Sequence, residues 1–155
     1  MENVSLIHFN KREDIRGTLI PIEAYKHVPF SIERVFFIKN LDEHPRGFHA
    51  HKKTQQVLIP LCGSLKVELT DGHSTKTYHL KEDNAGLFIP VNIWLKMFEY
   101  SKDCIICVIC SYEYDETEYI RNYGDFLEYV QTLDKDKIQC FDLGKQTTAL
   151  PASIL

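Results

Sequence analysis

The feature that most constrains this chain is a series of short strand-forming segments, each ended by turn residues. The segments are rich in β-branched and aromatic residues, and clusters of Gly, Asp, Asn and Ser separate them. They cover residues 5–9, 18–23, 32–39, 54–61, 64–70, 75–80, 86–89, 96–100 and 105–111. Short strands at this spacing predict an all-β sandwich or barrel, because such folds limit exposed sheet edges by pairing or closing their sheets.

The clearest hairpin is predicted around the turn Asp71-Gly72. The segment 64–70 alternates Leu and Val with Lys and Glu, so one face of that strand should be buried and the other solvated. Beyond residue 115 the period changes, and apolar residues recur at near-helical spacing within 125–133. We therefore expect a single domain over residues 1–141 with one short C-terminal helix, followed by a poorly ordered polar tail over 142–155.

Composition excludes several classes of protein. The 155 residues carry 18 basic and 22 acidic side chains, a net charge of −4, which offers no basic field for nucleic acid. The longest apolar run, residues 104–110, is far shorter than the roughly 20 residues that cross a bilayer, and the first nine residues lack the pattern of a signal peptide. We expect a cytoplasmic protein that binds neither nucleic acid nor membrane.

Three of the five cysteines, Cys104, Cys107 and Cys110, lie within that apolar run. Residues three apart on a strand face opposite sides of a sheet, so this spacing disfavours a shared metal site. An odd count of cysteines also disfavours a disulfide framework. We predict buried, reduced thiols that act as small hydrophobic side chains.

His49 and His51 are two residues apart, so on a strand both imidazoles should face one cavity. The pair precedes Gln56 by five residues and Gly63 by twelve. This spacing resembles the first signature of the cupins, His-x-His, four residues, Glu, six residues and Gly. The resemblance implies a cupin fold, which is a double-stranded β-helix or jelly-roll barrel.

In metal-binding cupins a Glu and a later His complete the ligand shell, and this chain has Gln56 and Leu95 there. Two imidazoles and a neutral amide bind a divalent transition metal weakly, so we expect no catalytic metal. Neutral histidine instead suits acid-base chemistry near pH 7. Proton abstraction beside a carbonyl would use a nearby cation to stabilise the enolate. The candidate cations are Arg16, Arg46, Lys52 and Lys53, and the alternative for each is a solvated surface charge.

The segment 45–53, Pro-Arg-Gly-Phe-His-Ala-His-Lys-Lys, resembles the signature of the nucleotide-sugar 3,4-ketoisomerases, which are small cupins. Segments 30–35, 62–64, 71–72 and 114–121 support the resemblance. The family implies a homodimer of jelly-roll barrels, often exchanging strands. It converts dTDP-4-keto-6-deoxyglucose into a 3-keto isomer in deoxyamino-sugar biosynthesis, without a metal or organic cofactor.

By this resemblance His51 removes the proton from carbon 3 and a proton returns at carbon 4 through an enediol, while His49 assists. The Arg16-Gly17 dipeptide resembles that of members giving the galacto-configured product, although Asp14 and Gly17 also suit a plain turn. Trp94 could stack on thymine or fill the core, and Arg121 could bind diphosphate or pair with Glu116 or Glu118. The expected substrate-binding residues are Arg16, Gly17, Arg46, Lys53, Gln56, Trp94, Tyr119 and Arg121.

The chain departs from the family at possible proton donors. Phe36 and Phe37 replace tyrosines, and Leu95 and Phe98 replace histidines. The group that returns the proton is therefore left open among His49, a remaining tyrosine and a bound water. The alternatives to the ketoisomerase are a 3,5-epimerase, a noncatalytic sugar-nucleotide-binding module and a metal-dependent dioxygenase.

Overall fold

The computed structural model of the chain describes residue 1 and residues 3–146, with side-chain surroundings described through residue 134. The described part contains twelve strands, one 3-10 helix and one α-helix. The strands are β1 (Ser5–His8), β2 (Arg12–Asp14), β3 (Gly17–Leu19), β4 (Arg34–Ile38), β5 (Arg46–His51), β6 (Gln56–Cys62), β7 (Leu65–Thr70), β8 (Thr75–Leu80), β9 (Ala85–Ile89), β10 (Trp94–Phe98), β11 (Ile105–Cys110) and β12 (Tyr119–Ile120). The 3-10 helix covers Glu116–Glu118, and the helix α1 covers Tyr123–Gln146.

Eight of the strands pair in a nested, antiparallel order that defines a jelly roll. Strand β4 pairs with β11, β5 with β10, β6 with β9, and β7 with β8. The result is one sheet of order β1-β9-β6-β11-β4 and a second of order β12-β5-β10-β7-β8. The predicted cupin architecture is confirmed.

The main core lies between these two sheets. Leu65, Val67 and Leu69 of β7 are 0 % exposed, whereas the intervening Lys66 and Glu68 are half-buried, as the alternation predicts. The core cluster is completed by apolar side chains of both sheets, namely Leu58, Leu80, Leu87, Ile89, Ile93, Leu95, Met97, Cys104, Ile106, Val108 and Cys110. Burial of this apolar surface is the main force that holds the sheets together.

The three clustered cysteines behave as predicted. Cys104, Cys107 and Cys110 are buried free thiols. Cys110 belongs to the core between the sheets, whereas Cys107 packs on the other face of the first sheet with Val57 and Ile109. Opposite orientation of residues three apart therefore holds on this strand.

All nine predicted strand segments contain strands, with most ends within two residues of the prediction, and the segments 18–23 and 96–100 differ most. The segment 18–23 forms a strand only to Leu19, because Pro21 has no N–H for a sheet. The segment 96–100 begins earlier, at Trp94, and ends at Phe98 because Glu99 takes a left-handed φ of 50°. Strands β2, β5 and β12 lie outside the nine predicted segments. Strand β2 is a fully charged triplet, β12 has only two residues, and β5 was expected to be extended only where it carries His49 and His51.

The C-terminal helix is confirmed, and it extends beyond the predicted segment 125–133 to Gln146. Residues 147–155 lie outside the described residues, so the boundary between domain and tail stays a prediction. No helix within the described residues has the length and apolar character to cross a membrane.

Candidate active site

The site begins with a bulge in strand β5. His49 lies opposite Leu95 and Gly47 lies opposite Lys96, so Phe48 is an extra residue, and its φ is 53°. Gly47 has a φ of 98°, and a Cβ there would come within 2.8 Å of the Leu95 carbonyl oxygen. The bulge therefore requires glycine and sets the register in which the following histidines project.

After the bulge, His49 and His51 face the same side of the sheet, as predicted. Their ring centroids are 4.9 Å apart at an interplanar angle of 89°. His51 is buried, with 5 % exposure, and His49 is half-buried at the wall of a cavity. The cavity of about 240 Å³ is lined by residues of both sheets: Phe36, Ile38, Arg46, Gly47, His49, Gln56, Leu58, Leu95, Met97, Val108, Tyr119 and Arg121.

His51 is held by hydrogen bonds at both ring nitrogens. Its Nδ1 lies 2.5 Å from Oε1 of Glu118, and its Nε2 lies 3.1 Å from the amide nitrogen of Gln56. A carboxylate partner fixes the proton on Nδ1 and leaves a lone pair on Nε2, to which the Gln56 amide donates. The basic nitrogen is thus Nε2, on the side of the cavity-lining Gln56.

Glu118 is buried completely and is surrounded by donors. Its Oε2 accepts from the backbone N–H groups of Lys52, Lys53 and Thr54, at 3.0 to 3.4 Å. Its Oε1 accepts from the Thr54 hydroxyl at 2.6 Å. Burial raises the pKa of Glu118, but the hydrogen bonds from Thr54, Lys53 and His51 outweigh it and hold the pKa below 4.5. Glu118 is therefore a carboxylate.

Burial lowers the pKa of the two imidazoles, whereas it raises that of a carboxyl group. It lowers the pKa of His51 below 6.5, and the neighbouring Glu118 only partly offsets this. Burial also lowers the pKa of His49, whose Nδ1 donates to the Gly47 carbonyl at 3.0 Å. Both rings are neutral at pH 7, which is the protonation state of a base.

Tyr119 of β12 packs against both histidines. Its ring centroid is 4.3 Å from that of His51 and 5.2 Å from that of His49. Its hydroxyl accepts from Nη2 of Arg34 at 3.3 Å. Arg34 forms no ion pair with any carboxylate of the described residues, and its Nε is buried without a hydrogen-bond partner.

Two further arginines line the cavity. Arg121 donates to Glu116 through Nε at 2.5 Å and Nη2 at 2.9 Å, and its guanidinium lies 4.5 Å from the Tyr119 ring centroid. Of the ion pairs left open by the sequence, the one with Glu116 is therefore formed. Arg46 is exposed and has no ion pair within the part of the chain that the structure describes. Among the cavity-lining residues, Arg46 is thus an unpaired cation, whereas the charge of Arg121 is paired with that of Glu116.

The remaining predicted site residues lie elsewhere in this chain. Arg16 and Gly17 stand on the exposed hairpin β2–β3, where the Asp14 side chain accepts from the Arg16 backbone and side chain. This is the turn structure left open by the sequence, and Gly17 has a φ of 134°. The Lys53 ammonium lies 5.6 Å from the Tyr112 ring centroid. Trp94 packs in a cluster with Phe126 and does not line the cavity.

Sequence reasoning missed Glu118 as the partner of His51, and it missed Arg34 altogether. The available signal for Glu118 was that an imidazole base needs an acidic group to orient it, and that the matching segment 114–121 contains two glutamates. Arg34 had no such signal, because it opens an ordinary apolar strand.

The residues around the histidines do not form a transition-metal shell. Gln56 presents a neutral amide to His51, and Leu95 presents no donor atom. Within the described residues, no group of three or more His, Cys, Asp and Glu side chains converges as a metal site. The arrangement is instead that of a neutral base, an orienting carboxylate and nearby cations.

Comparisons with known proteins agree with this geometry. The family described as FdtA: WxcM-like, C-terminal, matches residues 2–131. A TDP-4-oxo-6-deoxy-alpha-D-glucose-3,4-oxoisomerase of Aneurinibacillus thermoaerophilus is 44% identical over 138 residues, which are 88% of this chain and 99% of that protein.

Similar solved structures include two 3,4-ketoisomerases. A His-to-Asn mutant of the 3,4-ketoisomerase QdtA from Thermoanaerobacterium thermosaccharolyticum, in complex with TDP-4-keto-6-deoxyglucose, is 39% identical with a TM-score of 0.82. The match covers 85% of this chain and 96% of that one. The TDP-quinovose 3,4-ketoisomerase WlaRB of Campylobacter jejuni is 40% identical with a TM-score of 0.80, covering 83% and 99%.

Proposed function

Because this chain belongs to the FdtA family, we propose that it is a sugar-nucleotide 3,4-ketoisomerase whose substrate is dTDP-4-keto-6-deoxyglucose. The observation that carries the proposal is the neutral imidazole of His51, held by the buried carboxylate of Glu118 beside the cavity. Abstraction of a proton beside a ketone needs such a base, and the carboxylate stabilises the imidazolium that forms.

The proposed reaction is a balanced isomerisation without net oxidation. His51 Nε2 takes the proton from carbon 3, the C–H electron pair becomes the C3–C4 double bond, and the carbonyl pair moves to the oxygen on carbon 4. A proton then moves from the oxygen on carbon 3 to the oxygen on carbon 4. Carbon 4 receives a proton and the carbonyl forms at carbon 3. The enediol is the intermediate that the nearby N–H groups and cations stabilise.

Arg46 and Arg121 are the proposed ligands of the diphosphate. Guanidinium groups bind phosphate oxygens through paired N–H donors, and both side chains line one cavity. The bidentate pairing with Glu116 already fixes the guanidinium plane of Arg121. Gln56 is proposed to release Nε2 of His51 and to donate to a sugar oxygen when substrate binds.

The hairpin β2–β3 supports a homodimer. Arg16, Ile15 and Leu19 are exposed on it, Ile15 completely, and none of its residues lines the cavity of the same chain. Exposed apolar side chains at the tip of a hairpin favour a contact with another subunit. We propose that two chains pair so that Arg16 and Gly17 complete the cavity of the partner.

Two finer points belong to the same proposal. The Arg16-Gly17 dipeptide favours dTDP-3-keto-6-deoxygalactose as the product. The free thiols of Cys104, Cys107 and Cys110 favour a reducing compartment, so the enzyme is proposed to act in the cytoplasm.

The test is incubation of the purified protein with dTDP-4-keto-6-deoxyglucose in deuterium oxide, followed by NMR. The expected result is the 3-keto isomer with deuterium at carbon 4. Deuterium at carbon 5 without a 3-keto product would instead indicate an epimerase. Binding of dTDP by calorimetry, with no isomer and no exchange at any carbon, would indicate a binding module and overturn the proposal.

A further inference from the structure

Proton return to carbon 4 needs an acid at the cavity, and few side chains of the cavity wall can supply one. The polar side chains of that wall, within the described residues, are Arg46, His49, Gln56, Tyr119 and Arg121. Arginine stays protonated in proteins and an amide is no acid at neutral pH. Among these side chains the choice is therefore between His49 and Tyr119, and a bound water is the remaining alternative.

His49 is unsuited to supply that proton. Its Nδ1 donates to the Gly47 carbonyl, so in the neutral ring Nε2 carries no hydrogen. Burial lowers its pKa, which disfavours the imidazolium that would carry a second hydrogen. The ring is thus an acceptor toward the cavity.

Tyr119 has the hydrogen that His49 lacks. Its hydroxyl accepts from Arg34, and its own proton remains free to be donated. The ring touches the imidazole of His51, with centroids 4.3 Å apart, so a sugar beside the base also lies beside this phenol. Base and acid then act on the neighbouring carbons 3 and 4 from the same side of the cavity.

Arg34 supplies the positive charge that would stabilise a phenolate at Tyr119. Its guanidinium contacts the sulfur of Cys110 at 3.6 Å and the Phe36 and Tyr114 rings, none of which neutralises its charge. No carboxylate of the described residues pairs with it, and its buried Nε has no acceptor. An anion on the Tyr119 oxygen would meet a half-buried cation that already donates to that atom.

We propose that Tyr119 is the general acid of this enzyme, donating its hydroxyl proton to carbon 4 of the enediol while Arg34 stabilises the resulting phenolate. This rests on the proposed ketoisomerase function. The species that is protonated is the enediolate, in which the oxygen on carbon 3 has already passed its proton to the oxygen on carbon 4. Carbon 4 gains the proton, the Tyr119 O–H bond breaks, and the negatively charged oxygen on carbon 3 becomes the carbonyl. The phenolate regains a proton from solvent while the His51 imidazolium loses one, which restores both groups.

The decisive variant is Tyr119→Phe, measured in deuterium oxide by NMR of both substrate and product. His51 still opens the C3–H bond, so deuterium should enter carbon 3 of the recovered dTDP-4-keto-6-deoxyglucose. Formation of the 3-keto isomer should fall by about 10²- to 10⁴-fold, the usual contribution of a positioned acid. The matched control is Tyr78→Phe. Tyr78 is half-buried on β8 and lies outside the cavity, so this variant should isomerise the substrate like the wild type.

Several outcomes overturn the assignment. Near-normal isomerisation by Tyr119→Phe shows that another group is the acid. Equal loss of exchange at carbon 3 and of isomerisation, in a variant that binds dTDP normally, shows that Tyr119 acts through His51 instead. If the wild type itself gives neither product nor exchange, the proposed function fails and the role of Tyr119 fails with it.

A second substitution covers the case in which Tyr119→Phe does not fold. 3-Fluorotyrosine at position 119 keeps the size of the ring and is a stronger acid than tyrosine. The alkaline limb of the pH profile of isomerisation should move to lower pH, and this shift should be absent when the same residue is placed at position 78. An unchanged alkaline limb overturns the proposal.

Discussion

Nδ1 of His51 lies 2.5 Å from Oε1 of Glu118, a residue 67 positions further along the chain. The contact joins strand β5 to the 3-10 helix before β12, and Tyr119 is paired with His51 across those two strands. One pairing thus brings base, orienting carboxylate and phenol together. The proposed chemistry depends on this local geometry more than on any other contact.

Replacing the carboxylate by an amide should affect activity more than structure. In Glu118→Gln the ring loses the anion that fixes its tautomer and stabilises the imidazolium, so kcat should fall by at least about 10²-fold. Unfolding free energy should fall by about 1–3 kcal/mol, because backbone donors of Lys52, Lys53 and Thr54 lose a charged acceptor. The exposed substitution Glu113→Gln is the control. A kcat within a few-fold of wild type would contradict the role of Glu118.

Removing the base should abolish every isotope exchange. His51→Asn keeps a polar side chain beside Glu118 but has no basic nitrogen, so isomerisation should fall by about 10²- to 10⁴-fold. Deuterium should also fail to enter carbon 3, which separates this variant from Tyr119→Phe. Calorimetry should give a dTDP affinity close to that of the wild type. Persistent exchange at carbon 3 would identify a different base.

Both buried groups of the pair make the protein sensitive to acid. The lowered pKa of His51 means that, as pH falls through 6.5, the unfolded chain binds a proton that the folded chain does not. The lowered pKa of Glu118 has the same consequence below 4.5. Urea unfolding should therefore show stability falling from pH 7 to pH 5, while the acid limb of kcat/KM lies below 6.5. The stability of His51→Asn should fall less steeply with pH over this range. An equal slope of stability against pH would show that the lowered pKa does not belong to His51.

The features that could be predicted from the sequence are those that its local periodicity determines. Alternation in 64–70 predicted a real hairpin, and the two-residue spacing of His49 and His51 predicted their common face. The carboxylate partner of His51 could not be found in this way, because the contact depends on how distant segments pack. Likewise, the sequence allows Trp94 to be either a core side chain or a ligand contact. Only its packing against Phe126 decides between these roles.

The bulge at Phe48 should be as important as the histidines that follow it. In Gly47→Ala the new Cβ meets the Leu95 carbonyl oxygen at 2.8 Å, and a φ of 98° is strained for alanine. We expect at least about 1 kcal/mol of destabilisation in thermal unfolding. Activity should fall further than stability explains, since relief of the clash moves His49 relative to Leu95. Unchanged stability would show that the bulge tolerates a side chain.

The proposed sharing of cavities between subunits can be tested by complementation. Arg16→Ala should be inactive if Arg16 completes the partner's cavity, and His51→Asn should be inactive because it lacks the base. In a mixed dimer, the His51 of one subunit meets the Arg16 of the other, so one of the two cavities is restored. Random pairing of equal amounts should therefore recover about one quarter of the wild-type activity, as expected for a two-fold symmetric dimer.

The control for this experiment pairs His51→Asn with Glu118→Gln. Both residues belong to the same cavity of the same chain, so every mixed dimer has one defect in each cavity and no activity should return. Recovery in the first mixture and not in the second would support an Arg16 contribution across the dimer. Failure of recovery in a mixture that forms dimers by light scattering would show that Arg16 serves its own chain or none.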